Sequence, residues 1–227
     1  MRFEDLNWMD VENYLQTDDR LMLVTGACEQ HGYLSLLTDS KIPLALAGAA
    51  SQQSGVLVGP ALNFGISPYF TTYPGTITLR AQTYLAVIAD IVRSLHGCGF
   101  RRLLFVNGHG GNAPAQGVLS ELVNELPGLK VGWYSWWLAP ATAAVAQQAG
   151  LSPYHAAWSE AFSFCRVADL PPGEKPAVSS PRLLNAQETR ALYGDGVFGG
   201  AYSAGEDVMQ RLFDGCVADV VERLRFD

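Results

Sequence analysis

The chain alternates short apolar runs with longer stretches in which apolar residues recur every three or four positions. The runs RLMLVTG, GVLVGPAL, RRLLFVNG and LKVGWYSW begin at Arg20, Gly55, Arg101 and Leu129. They are rich in aliphatic or aromatic residues and end in glycine or polar residues, the pattern of parallel strands buried on both faces. Between the second and third, Tyr84, Val87, Ile88, Ile91, Val92 and Leu95 share one helical face and Gly97 offers a stop. DSKIPLALAGAA, from Asp39, predicts a helix, as do Asn112 to Glu125 and the segment HAAWSEAF from His155. Ser203 with Glu206 forms a capping-box pattern ahead of a last amphipathic helix, and ADLPPGEKPAVSSPRLL, Ala168 to Leu184, predicts a surface excursion. The alternation implies crossover connections and an α/β fold with a mostly parallel sheet covered on both faces. With no repeat and no linker, residues 1–227 are expected to form one domain.

Composition narrows the function. At 227 residues and 48% hydrophobic content the chain can bury a full core. A net charge of -7 and a pI near 5.0 exclude a nucleic-acid surface. Cys28, Cys98, Cys165 and Cys216 show no CxxC spacing, which excludes a zinc ribbon or disulfide scaffold and leads us to expect reduced thiols in a cytoplasmic protein. The N-terminus MRFEDLNWMDVENYL is acidic and amphipathic, and no apolar run reaches the roughly 18 residues of a spanning helix, so no membrane partner is expected.

In open α/β sheets ligands bind beyond the carboxyl ends of the strands. Two polar clusters fall there: Glu29, His31 and Asp39 after the first strand, and NGHGGN, Asn107 to Asn112, after the third. His155 and Glu160 form a third candidate aimed at the same crevice. His96, near a helix end, is read as solvated or as complementing the helix dipole. Each cluster also has a plainer reading. Asp39 can be only an N-cap, His155 a capping histidine, NGHGGN a phosphate-cradling turn, and Cys28 a small buried residue rather than a nucleophile. Together, however, three carboxylates and two histidines at strand ends are the mixed nitrogen and oxygen set that Zn, Mn or Fe prefers.

The stretches TGACEQHGYLSLLTD, SPYFTTYPGTITL, FVNGHGGN, HAAWSEAF and GVFGGAYSAGEDV resemble, in order, the motifs of the creatininase (creatinine amidohydrolase) family. The resemblance implies a three-layer α/β/α fold, a site for two divalent ions (Zn first, Mn or Fe as alternatives), hydrolysis of a carbon–nitrogen bond by a metal-bridged hydroxide, and a homo-oligomer of six subunits. It implies Glu29, His31, Asp39, His109 and Glu160 as metal ligands, with Asp39 bridging. His155 and Glu160 form the catalytic set, His155 donating a proton to the leaving nitrogen from a pKa near the ordinary value of about 6.5. Pro74, Gly75 and Thr76 match a substrate-side loop. Backbone N–H groups of Gly110 and Gly111 are expected at an oxyanion, and Tyr33, Phe70, Tyr73, Trp136 and Trp137 at the pocket wall.

The chain departs from the family form in three places. The loop from His31 to Asp39 is one residue shorter than usual, Gly111 stands where creatininase has a carboxylate, and Phe70 stands where many members have a histidine. These departures point away from creatinine and towards another small amide, such as a cyclic amide or formamide. The alternatives are a peptidase-like member trimming a short modified peptide and a metal-binding scaffold whose catalysis has decayed.

Overall fold

In the computed structural model, which describes residues 1–227, the chain runs α1 (Trp8–Leu15), β1 (Arg20–Thr25), α2 (Thr38–Ser54), β2 (Leu57–Val58), α3 (Ala81–Cys98), β3 (Arg102–Asn107), α4 (Ala115–Glu125), β4 (Lys130–Ser135), α5 (Pro140–Ala149), β5 (Glu174–Lys175), α6 (Ala186–Tyr193), β6 (Gly200–Ala201) and α7 (Glu206–Arg223). The main sheet is ordered β2-β1-β3-β4 and is parallel throughout. Side chains alternate across a strand, and here that alternation sorts the helices into two layers. Met22, Val24, Leu104 and Val106 pack with α2, α5 and α7, while Leu21, Leu23, Leu103 and Phe105 pack with α3 and α4. The result is the expected three-layer α/β/α arrangement. Truncating one of these fully buried leucines to alanine would cost about 2–5 kcal/mol.

The register places the site. Thr25 pairs with Asn107, and Asn107 with Ser135, so β1, β3 and β4 end at one level. The loops carrying Glu29 and His109 therefore leave the sheet side by side. Glycine at each strand end then admits the start of α2. A Cβ on Gly108 would overlap the carbonyl oxygen of Asp39, and one on Gly26 would meet the same oxygen at 2.6 Å. Pro43 has no N–H to give that carbonyl its helical bond, which leaves it facing the strand ends.

Several boundaries differ from expectation. β2 is only two residues long, because Gly59 and Pro60 end the run. α4 starts at Ala115, since Asn112 lies in a 3-10 turn and donates its side-chain amide to the Gly26 carbonyl at 3.0 Å. HAAWSEAF forms a 3-10 turn at Trp158–Glu160 rather than an α-helix, with Ala156 in the left-handed region at φ 59. The N-cap of α7 is Gly205, without a side-chain cap, so the Ser203 and Glu206 box does not form. Capping boxes occur instead at Asn7 with Asp10 and at Asn185 with Glu188. The Pro/Ser-rich excursion contributes β5, which pairs antiparallel with β6, and its end returns to the site. No helix is long and apolar enough to cross a membrane.

Candidate metal centre and its cavity

Asp39 lies in the first turn of α2, behind an N-cap, Leu37, whose side chain makes no cap bond; Asp39 is not the cap itself. Its carboxylate is thereby free to face the strand ends. Oδ1 lies 2.9 Å from His31 Nε2, and Oδ2 lies 3.0 Å from His109 Nδ1. Glu29 Oε1 is 3.4 Å from the same His109 nitrogen, and Glu160 Oε2 is 3.7 Å from His31 Nε2. All five residues are buried. The shortened loop thus still brings His31 and Asp39 into contact.

Around this cluster the imidazoles are held by their far nitrogens. His31 Nδ1 meets the Glu29 carbonyl at 3.2 Å, while His109 Nε2 meets the Ile66 carbonyl at 2.9 Å and Ser67 Oγ at 3.2 Å. A ring that donates to a carbonyl on one side turns a lone pair inwards on the other, as metal-ligating histidines do. Asn107 fixes the His109 turn by donating to its carbonyl and accepting from its N–H. Glu160 is set by the Ala156 N–H, which donates to Oε2 at 2.6 Å.

The inward atoms have no use without a ligand. Glu29 Oε2, His31 Nε2 and Asp39 Oδ2 are buried and lack any aligned hydrogen bond, a costly arrangement unless a cation completes it. Burial opposes charge on His31, but Asp39, Glu160 and Glu29 outweigh it and push the imidazole up to about 10. Burial likewise opposes charge on His109, yet Glu29 and Asp39 raise it well above its usual value. Burial and then Asp39 raise Glu29, and burial pushes Glu160 up to about 7. Asp39, although buried, is held low by His31 and His109. In the metal-free protein, protons on the two histidines supply the positive charge that the carboxylates require. The donors form two groups, Glu29 with Asp39 and His109, and His31 with Asp39 and Glu160, the atoms of each within 4.8 Å of one another. These residues fit a pair of divalent ions.

His155 stands beside these donors. Its Nδ1 is 3.9 Å from Glu29 Oε1, and Glu29, His31 and His155 also form a group within 4.8 Å. Its ring stacks on Phe70 at 5.0 Å and packs against Phe198 at 4.8 Å and His31 at 4.4 Å. Burial, reinforced by His31, holds it well below its ordinary pKa, so it is neutral near pH 7 instead of titrating near 6.5. Its Nε2 meets two groups of Gln30, the side-chain Nε2 at 3.0 Å and the backbone carbonyl at 3.2 Å. Gln30 is itself pinned, donating to the Gly196 carbonyl and accepting from the Gly32 N–H. One imidazole nitrogen therefore finds a donor and an acceptor on the same residue. Gln30 was not among the expected site residues, although it lies between two of them.

A cavity of about 470 Å³ opens above these groups. Phe70, Trp137 and Gly110 line it as expected, and so do Phe198, which lies in the GVFGGAYSAGEDV stretch without an assigned role, and Tyr193 and Arg182, which lie outside the motifs. Other expected wall residues lie off it. Tyr33 packs edge-on against Tyr202, and Trp136 is buried in the core. Tyr73 is buried beside Phe70. Gly75 accepts from Cys28 Sγ, and Thr76 Oγ1 accepts from the Gln30 N–H, so the Pro-Gly-Thr loop buttresses the ligand loop from behind. Gly111 faces away, since a Cβ there would overlap the Ile66 carbonyl. The same crowding leaves no room for creatininase's carboxylate at that position. His96 is half-buried and contacts the Pro127 carbonyl at 3.0 Å.

The sequence and architecture match known proteins at three levels. A creatininase family model, described as creatinine amidohydrolase, matches residues 4–224. The chain is 34% identical to creatinine amidohydrolase of Pseudomonas putida over 48% of this chain and 45% of that protein. It is also 34% identical to the mycofactocin precursor peptide peptidase of Mycobacterium ulcerans over 50% of this chain and 48% of that one. It thus spans about half the length of these curated relatives. A solved creatininase described with Mn superposes with a TM-score of 0.82 at 25% identity, covering 99% of this chain and 97% of that one. A mutant creatininase of Zn–Zn type gives 0.83 at 23% identity, over 99% and 96%. With its family model matched over nearly the whole length, the chain belongs to the creatininase family, whose members are hydrolases of carbon–nitrogen bonds.

Proposed function

We propose that this chain is a metal-dependent amidohydrolase that breaks a non-peptide carbon–nitrogen bond in a small amide, such as a cyclic amide or formamide, rather than in creatinine. The observation that carries the reading is Asp39, whose two carboxylate oxygens face different histidines. Glu29, Asp39 and His109 would hold one divalent ion, and His31, Asp39 and Glu160 the second. The mixed nitrogen and oxygen donors suit Zn, with Mn or Fe as alternatives. When bound, such ions would acidify a water and polarise the amide carbonyl oxygen.

The protein's own residues then manage protons. Neutral His155 takes a proton at Nδ1 from the attacking water and returns it to the departing nitrogen. Gln30 supports the exchange, because its backbone carbonyl accepts from His155 Nε2–H and so favours the tautomer whose Nδ1 lone pair is free to take the proton. Phe70 and Phe198 cover the imidazole and exclude water from it. Gly110, on the cavity, keeps the oxyanion role expected of the glycine pair, and Gly111 does not. An unbroken set of five buried donors favours a working site over a retired scaffold.

A second reading, trimming of a short modified peptide, draws support from the 34% identity to a mycofactocin precursor peptide peptidase. As part of the proposal, residues 1–227 work as one domain in a homo-oligomer, six subunits by family. The four free cysteines suit the reducing cytoplasm. The test is metal analysis of protein purified without added metal, with hydrolysis of cyclic amides, formamides and short peptides measured before and after chelation. We expect two divalent ions per chain and chelator-sensitive hydrolysis of a small amide. A metal-loaded protein that cleaves only the peptides would favour the second reading, and inactivity on every class would contradict both.

A further inference from the structure

Above the five donors the cavity is walled by rings instead of charges. Tyr193 stacks on Phe198 at 3.8 Å with 11° between planes, and Phe198 meets Phe70 edge-on at 5.9 Å, so the three make one continuous apolar surface. Trp137 faces the same space beside Gly110. A Cβ on Gly110 would find nothing nearer than Trp137 at 3.9 Å, so the missing side chain deepens the cavity next to His109. At the rim stands Leu183, 97% exposed although it is a leucine.

Charge is nearly absent from this upper part. Apart from the proposed ligands and His155, Arg182 is the one charged residue on the lining. Both of its terminal nitrogens are already bonded to Glu188, at 3.1 and 2.9 Å. A guanidinium, ammonium or carboxylate arm on a substrate would find no unpaired counter-charge there, and burying a charge without a partner is costly. An apolar arm gains by leaving water. The volume, about 470 Å³, falls in the range of pockets that enclose drug-sized ligands and is far larger than a bare formamide needs.

We propose that the substrate is an uncharged amide carrying an aromatic ring or a branched aliphatic arm, with the arm seated on Phe70, Phe198 and Tyr193 and the scissile bond over Asp39. This rests on the amidohydrolase reading and adds the chemistry of the arm. In the complex the arm also covers Leu183, which accounts for a leucine left in solvent at the mouth.

The test compares three probes on zinc-loaded protein: formamide, N-benzylformamide and N-(3-guanidinopropyl)formamide. Binding is followed by calorimetry and hydrolysis by formate release. We expect the benzyl probe to bind about tenfold or more tighter than the guanidino probe. Phe198→Ala should remove most of that preference. Leu183→Asp, at an exposed position that folding does not require, should lower it by roughly threefold, so the idea stays testable if the first variant fails to fold. Equal or tighter binding of the guanidino probe, or no measurable binding of the benzyl probe, would overturn the assignment. Benzyl binding without formate release would instead sink the amidohydrolase reading and leave the arm assignment intact. Equally efficient hydrolysis of all three probes would do the reverse.

Discussion

At and just beneath the floor of the cavity five ionisable side chains crowd within a few ångströms and leave buried atoms without partners, whereas along its wall aromatic rings pack face and edge. The floor comes from the loops leaving β1 and β3, the first turn of α2 and the 3-10 turn that holds Glu160, with the strand register and close backbone approach fixing the first three. The wall comes mainly from turns and the excursion before α6. The contrast separates two tasks. Short segments anchored to the sheet or held by buried hydrogen bonds carry the groups whose geometry the chemistry needs, and residues further from the sheet carry the shape that selects what enters. His155 belongs to both, since its Nδ1 faces the floor and its ring lies between Phe70 and Phe198.

That double membership gives the largest predicted effect. His155→Ala should keep both ions and the assembly while turnover falls by about 10²–10⁴-fold, the usual loss with a proton-transfer group. Metal loss in this variant would move His155 from proton carrier to ligand. Gln30→Leu should follow, at about 10–100-fold in kcat with KM little changed, because it frees the imidazole without touching the floor. A larger change in KM than in kcat would assign Gln30 to the substrate instead.

A smaller effect, confined to the floor, comes from the protons that stand in for the ions. His31 is raised to about 10 and His109 well above 6.5, so near pH 7 both are protonated in the metal-free protein and must be deprotonated to bind. Metal binding should release protons, and affinity should fall about tenfold for each unit the pH is lowered, per proton displaced. The contribution of His31 fades above about pH 10, where its proton is already gone. Calorimetry in two buffers of different ionisation enthalpy would read the released protons, and a pH-independent affinity between pH 6 and 8 would contradict the charge balance. The smallest effect is expected at Cys28, where burial raises the thiol and Sγ donates to the Gly75 carbonyl. Cys28→Ala should retain activity, and loss with metal content intact would revive a cysteine nucleophile.

The floor was legible in the sequence because ionisable residues after apolar runs stand out, and the parallel pattern already places strand ends together. Glu160, 121 residues beyond Asp39, was a candidate from HAAWSEAF, and its role as a ligand came from the family resemblance. The wall was not legible. Tyr193 ends a helix that the pattern did not predict, Phe198 lies among glycines, and Leu183 is in a Pro/Ser-rich stretch, so nothing in their spacing marks a shared surface. Gln30 had a signal that went unread. In extended backbone, alternate side chains point opposite ways, so the residue between Glu29 and His31 is expected to face away from both and towards whatever stands behind. The converse error placed Tyr33, Gly75, Thr76 and Gly111 on the cavity, because proximity in a motif does not settle which way a loop residue turns.

The central claim is that Asp39 is shared by two ions, and metal counting across three variants tests it most directly. Wild type, His31→Ala, His109→Ala and Asp39→Ala would be purified identically, loaded with zinc, stripped of loose metal and analysed together, with circular dichroism to confirm folding. The account predicts two ions per chain in wild type, one in each histidine variant and none in Asp39→Ala. A folded Asp39→Ala protein that keeps an ion, or a wild type that never holds more than one, would contradict it.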